Sequence, residues 1–254
     1  MNHSPPQLRV ALLLGLAAAL ATAALFPYVL ALKPGALAMA SASLHLPPAA
    51  FVALQSLQSG VLCFLLAWAG LKLGAPLGLG APWLAAWLYG RPRQQTSNWL
   101  LAAVLGVLGA GVILGAVALF GAPLGESGIT QGPAAWKGFL ASSYGAVVEE
   151  IELRVFVMGA AAWLLARATG GRPRAWLMVA AITIAAVLFG VGHLPTAAQL
   201  GPLTLAIVAR VIVYNALLGL AFGWLYWKRG LEHAMLAHLC ADLLIHVVAP
   251  LIAM

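Results

Sequence analysis

Glu149-Glu150-Ile151-Glu152-Leu153-Arg154 places four ionisable side chains inside an apolar run from about Gly138 to Ala166. A charged residue at the centre of a membrane helix costs roughly 2.5 to 3.5 kcal/mol on insertion scales, so such groups mark functional sites and need partners. At about 100° per residue, Arg154 lies one helical turn from Glu150 and pairs with it at i, i+4. Glu149 and Glu152 fall together on another face, and Glu149 has no cation of its own there. A carboxylate so placed suits general-base chemistry on water. Two further polar sets sit in later apolar runs. Phe189-Gly190-Val191-Gly192-His193 closes one, and His238 shares a helix face with Asp242 in another, with His246 one turn on. Imidazoles and carboxylates can activate water, stabilise developing charge, or hold zinc through three ligands and a water. Against a metal, no His-Glu-x-x-His helix fixes two ligands one turn apart.

These residues must be positioned by membrane helices. The 254-residue chain is 63% hydrophobic and 7% charged, with a mean hydropathy of +1.00, where a soluble domain carries about 25% charged residues. The composition excludes a soluble protein and predicts an all-α, polytopic transmembrane bundle of about seven spans, a single membrane domain over residues 1–254. The net charge of +7 sits in short loops beside apolar spans, where topology accounts for it; no nucleic-acid signature is present. Cys63 and Cys240 both lie inside apolar runs, which argues against a disulfide framework or a Cys-based zinc site.

The predicted spans are Val10–Leu32, Ala49–Leu73, Asn98–Phe120, Gly138–Ala166, Ala175–Gly192, Leu203–Trp227 and Leu231–Met254. The first is too long for a signal-peptide core of about 7 to 15 residues and reads as a retained span, although Ala21-Thr22-Ala23 resembles a cleavage site. Lys33–Pro48, Gly121–Lys137 and the stretch from His193 to Pro202 read as loops, and Trp83–Tyr89 as a short interfacial helix. Gly111 with Gly115, and Gly219 with Gly223, give two small-residue faces for close helix packing. With a cytoplasmic N-terminus, Arg9, Lys72, Arg91, Arg93, Arg167, Arg172, Arg174, Lys228 and Arg229 fall inside and only Lys33 and Lys137 outside, which favours that orientation. Trp163, Trp176, Tyr226 and Trp227 then form an inner aromatic belt.

Depth decides which polar residues can meet. Counted from that belt at 1.5 Å per residue, Glu149 and His193 both lie roughly 21 to 25 Å deep, and His238 roughly 16 Å. Glu149 and His193 can therefore face each other, while His238 falls five to ten ångströms short. A hairpin at Arg167–Arg174 that protrudes from the membrane would remove the difference. Glu232 and His233, near the boundary, read as solvated or snorkelling. Arg210 and Asn215 read as satisfying buried polar groups, with Asp242 or Glu152 as counter-ion to Arg210.

In their order on separate apolar helices, Glu149-Glu150-x-x-x-Arg154, Phe189-x-x-x-His193 and His238-x-x-x-Asp242 resemble the three motifs of the CAAX protease and bacteriocin-processing (CPBP) family of intramembrane proteases. The resemblance covers the catalytic-core helices, about residues 138–250. It implies an intramembrane endopeptidase that hydrolyses a membrane-associated or lipidated peptide or protein with glutamate-activated water. Glu149 is then the catalytic glutamate, His193 its partner on water, and His238 and Asp242 the stabilisers of the oxyanion, with Glu150 and Arg154 in support. It implies either no cofactor or a divalent metal, zinc for preference, held by Glu149, His193 and His238 as in a metalloprotease. Asp242 stands where eukaryotic prenyl-protein proteases usually carry Asn and bacterial relatives accept either, which argues for a prokaryotic branch, hence a bacterial inner membrane, and against carrying over the prenylated substrate. Two other classes fit the same buried polar residues: a proton-coupled transporter, which the absence of an inverted repeat disfavours, and a non-enzymatic membrane scaffold.

Overall fold

The computed structural model describes residues 7–90, 97–120, 133–171 and 174–252, and every element among them is helical. Arg91, Arg93, Arg172 and most of the Gly121–Lys137 loop lie outside the described residues. Six of the described helices are long and apolar enough to cross a membrane. They include α1 (Gln7–Leu32), α3 (Pro48–Gly74) and α5 (Trp99–Phe120). In the C-terminal half they include α8 (Ala175–Gly192), α10 (Leu205–Arg229) and the helix that begins with α11 (Leu231–Leu243). The seventh expected span is the acid-bearing rod. It runs as α6 (Ala135–Tyr144), two π-wound segments (Gly145–Glu149 and Ile151–Met158) and α7 (Gly159–Ala168).

Local chemistry sets several ends. Pro48 opens α3 at its first turn, where a missing N–H costs nothing. Asn98 Oδ1 accepts from the Leu101 N–H at the start of α5, and Thr204 Oγ1 accepts from the Ile207 N–H at the start of α10. Gly230, at φ 95°, makes the turn between α10 and α11 in a backbone region closed to most other residues.

Three expected loops or faces differ. The Lys33–Pro48 stretch contains a helix, α2 (Ala36–Ser43), and the chain after His193 continues as α9 (Leu194–Leu200). Short apolar turns of this kind lack the length that periodicity needs. The interfacial segment forms α4 (Pro82–Tyr89), as its punctuation predicted. Tyr226 is buried rather than in a belt against lipid.

The bundle packs α1 against α3 and α6, α3 against the π-wound segment, α8 against α10, and α11 against α5. Leu, Val and Trp side chains cover the outer faces, as a lipid-facing surface requires. Close approach depends on glycine. At Gly219 a side chain would meet the Ala186 backbone at 2.9 Å, and at Gly223 the Ile182 side chain at 2.9 Å, so this pair seats α10 on α8 as its spacing predicted. Gly111 and Gly115 do not pack: among the described residues, nothing would lie within 4 Å of a Cβ added at either. Gly106 has their role in α5, where an added Cβ would strike the Ala237 carbonyl of α11. Gly106→Ala is therefore expected to lower stability by about 1 to 3 kcal/mol through overpacking. Gly111→Ala should be neutral or stabilising by up to about 1 kcal/mol through helix propensity. Thermal unfolding of the two variants in detergent checks the pair, and equal melting temperatures would contradict the packing described.

Candidate active site

Glu149 and Glu150 sit at the junction of the two π-wound segments. A π-helix bonds i to i+5 and is wider than an α-helix, and short stretches of it recur at functional sites. Its consequence here is depth. More residues per turn mean less rise per residue, so the chain between Glu149 and Trp163 spans less than the α-helical count gave. Glu149 and His238 do meet, and this shortening covers part of the difference in depth predicted between them.

Glu149 Oε2 lies 3.6 Å from His238 Nε2, and its Oε1 lies 4.0 Å from His193 Nε2. Asp242 Oδ2 is 3.7 Å from His238 Nε2. The acid-bearing rod, α8 and α11 thus bring Glu149, His193, His238 and Asp242 to one place. The site is partly open: the side chains of Glu149 and His193 are 23% and 34% exposed, while that of His238 is 4%.

The hydrogen bonds behind the histidines fix their orientation. His193 Nδ1 lies 2.8 Å from the Phe189 carbonyl one turn back, and a carbonyl only accepts, so Nδ1 carries the hydrogen. His238 Nδ1 lies 2.8 Å from Glu150 Oε1 and donates to that carboxylate. Both rings therefore turn Nε2 toward Glu149.

Glu150 has a second partner, as the i, i+4 spacing predicted. Arg154 Nη2 is 3.4 Å from Glu150 Oε1, with both side chains fully buried. The guanidinium makes no hydrogen bond among the described residues. Instead it lies 5.0 Å from the Phe189 ring and 5.6 Å from the Phe222 ring, where the faces of aromatic rings attract a cation. Phe222 also stacks on His238, centroids 4.7 Å apart, and Phe189 meets His193 edge-on at 4.8 Å. Phe222 was not legible in the sequence, being one apolar residue in an apolar helix. Its neighbours Gly219 and Gly223 were the available signal, since they bring that face of α10 close to α8.

Other predicted residues fall elsewhere. His246 lies in a short π-wound turn, Leu244–Val248, with its Nδ1 3.1 Å from the Tyr28 hydroxyl of α1. Glu152 is half-buried and makes no hydrogen bond or ion pair among the described residues. Arg210 makes no ion pair with Asp242 or Glu152 among the described residues; Asn215 donates to the Val211 carbonyl of its own helix. His233 is not solvated: it is buried and stacked on Trp99 at 4.1 Å, with its Nε2 accepting from the Asn98 N–H at 3.3 Å. Glu232 accepts from the Leu84 N–H at 2.7 Å and so caps α4, instead of snorkelling.

Among the described residues, no group of three or more His, Cys, Asp or Glu side chains is arranged to hold a metal ion. Glu149, His193 and His238 converge, but as placed they do not form a coordination sphere.

Comparison with known families gives a match over residues 131–244 to the type II CAAX prenyl endopeptidase Rce1-like family. Comparisons with curated proteins and with solved structures give no match. The matched segment contains all three motifs and the four converging side chains, and the family is one of endopeptidases, which supports intramembrane endopeptidase activity generally. Residues 131–244 of this multi-pass membrane protein match the Rce1-like CAAX prenyl endopeptidase family, in line with the resemblance carried by the three motifs.

Proposed function

We propose that the chain is an intramembrane endopeptidase of a bacterial inner membrane, N-terminus in the cytoplasm, that cuts a membrane-associated or lipidated peptide with water activated by Glu149. One observation carries this reading: a carboxylate in an apolar helix faces the Nε2 atoms of two histidines from two other helices, at 3.6 and 4.0 Å. Those separations exceed a direct hydrogen bond and match a polar contact bridged by one water. Glu149 takes one proton from that water, His193 Nε2 accepts a hydrogen bond from the hydrogen that stays on it, and the resulting hydroxide attacks the scissile carbonyl. A proton on His238 Nε2 points between Glu149 and Asp242 and stabilises the oxyanion, while Glu150 behind it holds the ring. Glu149 then returns its proton to the leaving amine, which closes the cycle without any other acid.

The test is incubation of the purified protein in detergent with a mixed peptide library, with and without a chelator, and mass analysis of the products. Discrete new fragments that persist with the chelator are expected. No cleavage by the wild type would overturn the peptidase reading, and loss of cleavage on chelation would overturn its metal-free form.

A further inference from the structure

Gly145 opens the first π-wound segment, one turn before Glu149. A Cβ built there would lie 2.5 Å from Asp242 Oδ2, 2.9 Å from His238 Nε2 and 3.4 Å from His238 Cδ2. The first two are closer than heavy atoms come to a real Cβ. The neighbours distinguish this glycine from the packing glycines of the bundle. At Gly70, Gly106 and Gly138 the added carbon would strike a backbone carbonyl, of Val155, Ala237 and His246 respectively, so those positions set how near two helices come. At Gly145 the nearest atoms are instead the polar ends of two side chains in the candidate site.

We propose that Gly145 is a positioning residue of the site: its missing side chain leaves His238 Nε2 free to face the scissile carbonyl and Asp242 Oδ2 free to stay beside that nitrogen, 3.7 Å away. The inference rests on the peptidase reading above. His238 has little freedom to move aside. Its Nδ1 is held 2.8 Å from Glu150, and its ring is stacked on Phe222. Asp242 is freer, with a side chain 15% exposed and no hydrogen bond among the described residues. An alanine methyl at 145 is therefore accommodated mainly by rotation of the Asp242 carboxylate, which leaves the helices in place and takes that carboxylate away from His238 Nε2, the atom whose proton faces the reacting carbonyl. A misplacement of about 1 Å in such a group can cost about 10²-fold in rate.

Four proteins test this: wild type, Gly145→Ala, Asp242→Ala and the double variant, each assayed for peptide hydrolysis and thermal unfolding in detergent. Gly145→Ala is expected to lower kcat about 10²-fold, with KM within a few-fold of wild type and the melting temperature unchanged. In the Asp242→Ala background the same alanine should slow hydrolysis by less than about tenfold, because residues acting through one contact are not additive. A Gly145→Ala enzyme of wild-type rate, or one slowed equally in both backgrounds, overturns the proposal. If Gly145→Ala fails to fold, the double variant decides: recovered folding supports the contact with Asp242, and continued failure marks Gly145 as a packing glycine and overturns it. A wild type that cleaves nothing sinks the peptidase reading instead, a separate outcome.

Discussion

Glu149→Gln is expected to remove peptide hydrolysis, by roughly 10² to 10⁴-fold for loss of a general base, while the protein stays folded. The amide keeps the shape of the side chain and can still hydrogen-bond across the water-sized separations to His193 and His238. It cannot accept the proton that attack by water releases. Stability should change little, because Glu149 has no buried cation whose charge would be stranded: Arg154 is paired with Glu150. Rates on a cleaved peptide together with melting curves check both halves. A Gln variant with unchanged turnover rules out the proposed base, and one that fails to fold assigns Glu149 to the scaffold. The scaffold alternative predicts no effect beyond stability. A carrier would show uptake into proteoliposomes that depends on Glu149 without any proteolysis.

Arg154→Met should have the largest effect on stability. Both partners of the Glu150–Arg154 pair are fully buried, and removing one leaves an uncompensated charge, at a cost of about 3 to 5 kcal/mol. Methionine fills much of the volume between Phe189 and Phe222, so lost packing contributes little. Adding Glu150→Gln to Arg154→Met should recover most of the stability, since no buried charge is then left unpaired. Activity should not return with it, because His238 Nδ1 loses the carboxylate that orients it. Arg154→Lys keeps the charge but loses the planar group set against two rings, and should fall between. Chemical or thermal unfolding in detergent reads the series; an Arg154→Met protein as stable as wild type would mean the pair contributes nothing.

The spans were legible because a long apolar run needs no periodicity to be seen. Ala175–Gly192 was read to the residue, and the other span ends fell within a few positions. Equal spacing misled where only a neighbour could decide: Gly111 and Gly115 look like a packing face, yet Gly106 is the one covered. His233 and Glu232 looked solvated because depth along the chain does not reveal that Trp99 lies over one and the first turn of α4 meets the other. For the candidate site, polar residues in apolar helices announced themselves, and the structure brings Glu149, His193, His238 and Asp242 together. Phe222, Gly145 and Tyr28 did not, since an aromatic or a glycine in such a helix has no contrast with its surroundings. The π winding was out of reach for a related reason: a count at 100° per residue assumes the helix type it would need to test.

That winding makes the acid-bearing rod a counting device. Val155 and Phe156, in its second wide segment, lie against Gly70 of α3, while Glu149 and Glu150 at its start face α8 and α11. A π-helix holds more residues in the same length than an α-helix. Removing one residue between Ile151 and Met158 would therefore let the rod relax to ordinary winding with nearly unchanged length. Its two ends would keep nearly their mutual rotation, whereas removing a second residue would turn Glu149 by about 100° away from the histidines while Val155 stays seated against α3. The wide segment is in this sense slack between an anchor and a reactive group, and it ties the chemistry of the rod to its length in residues as much as to their identity.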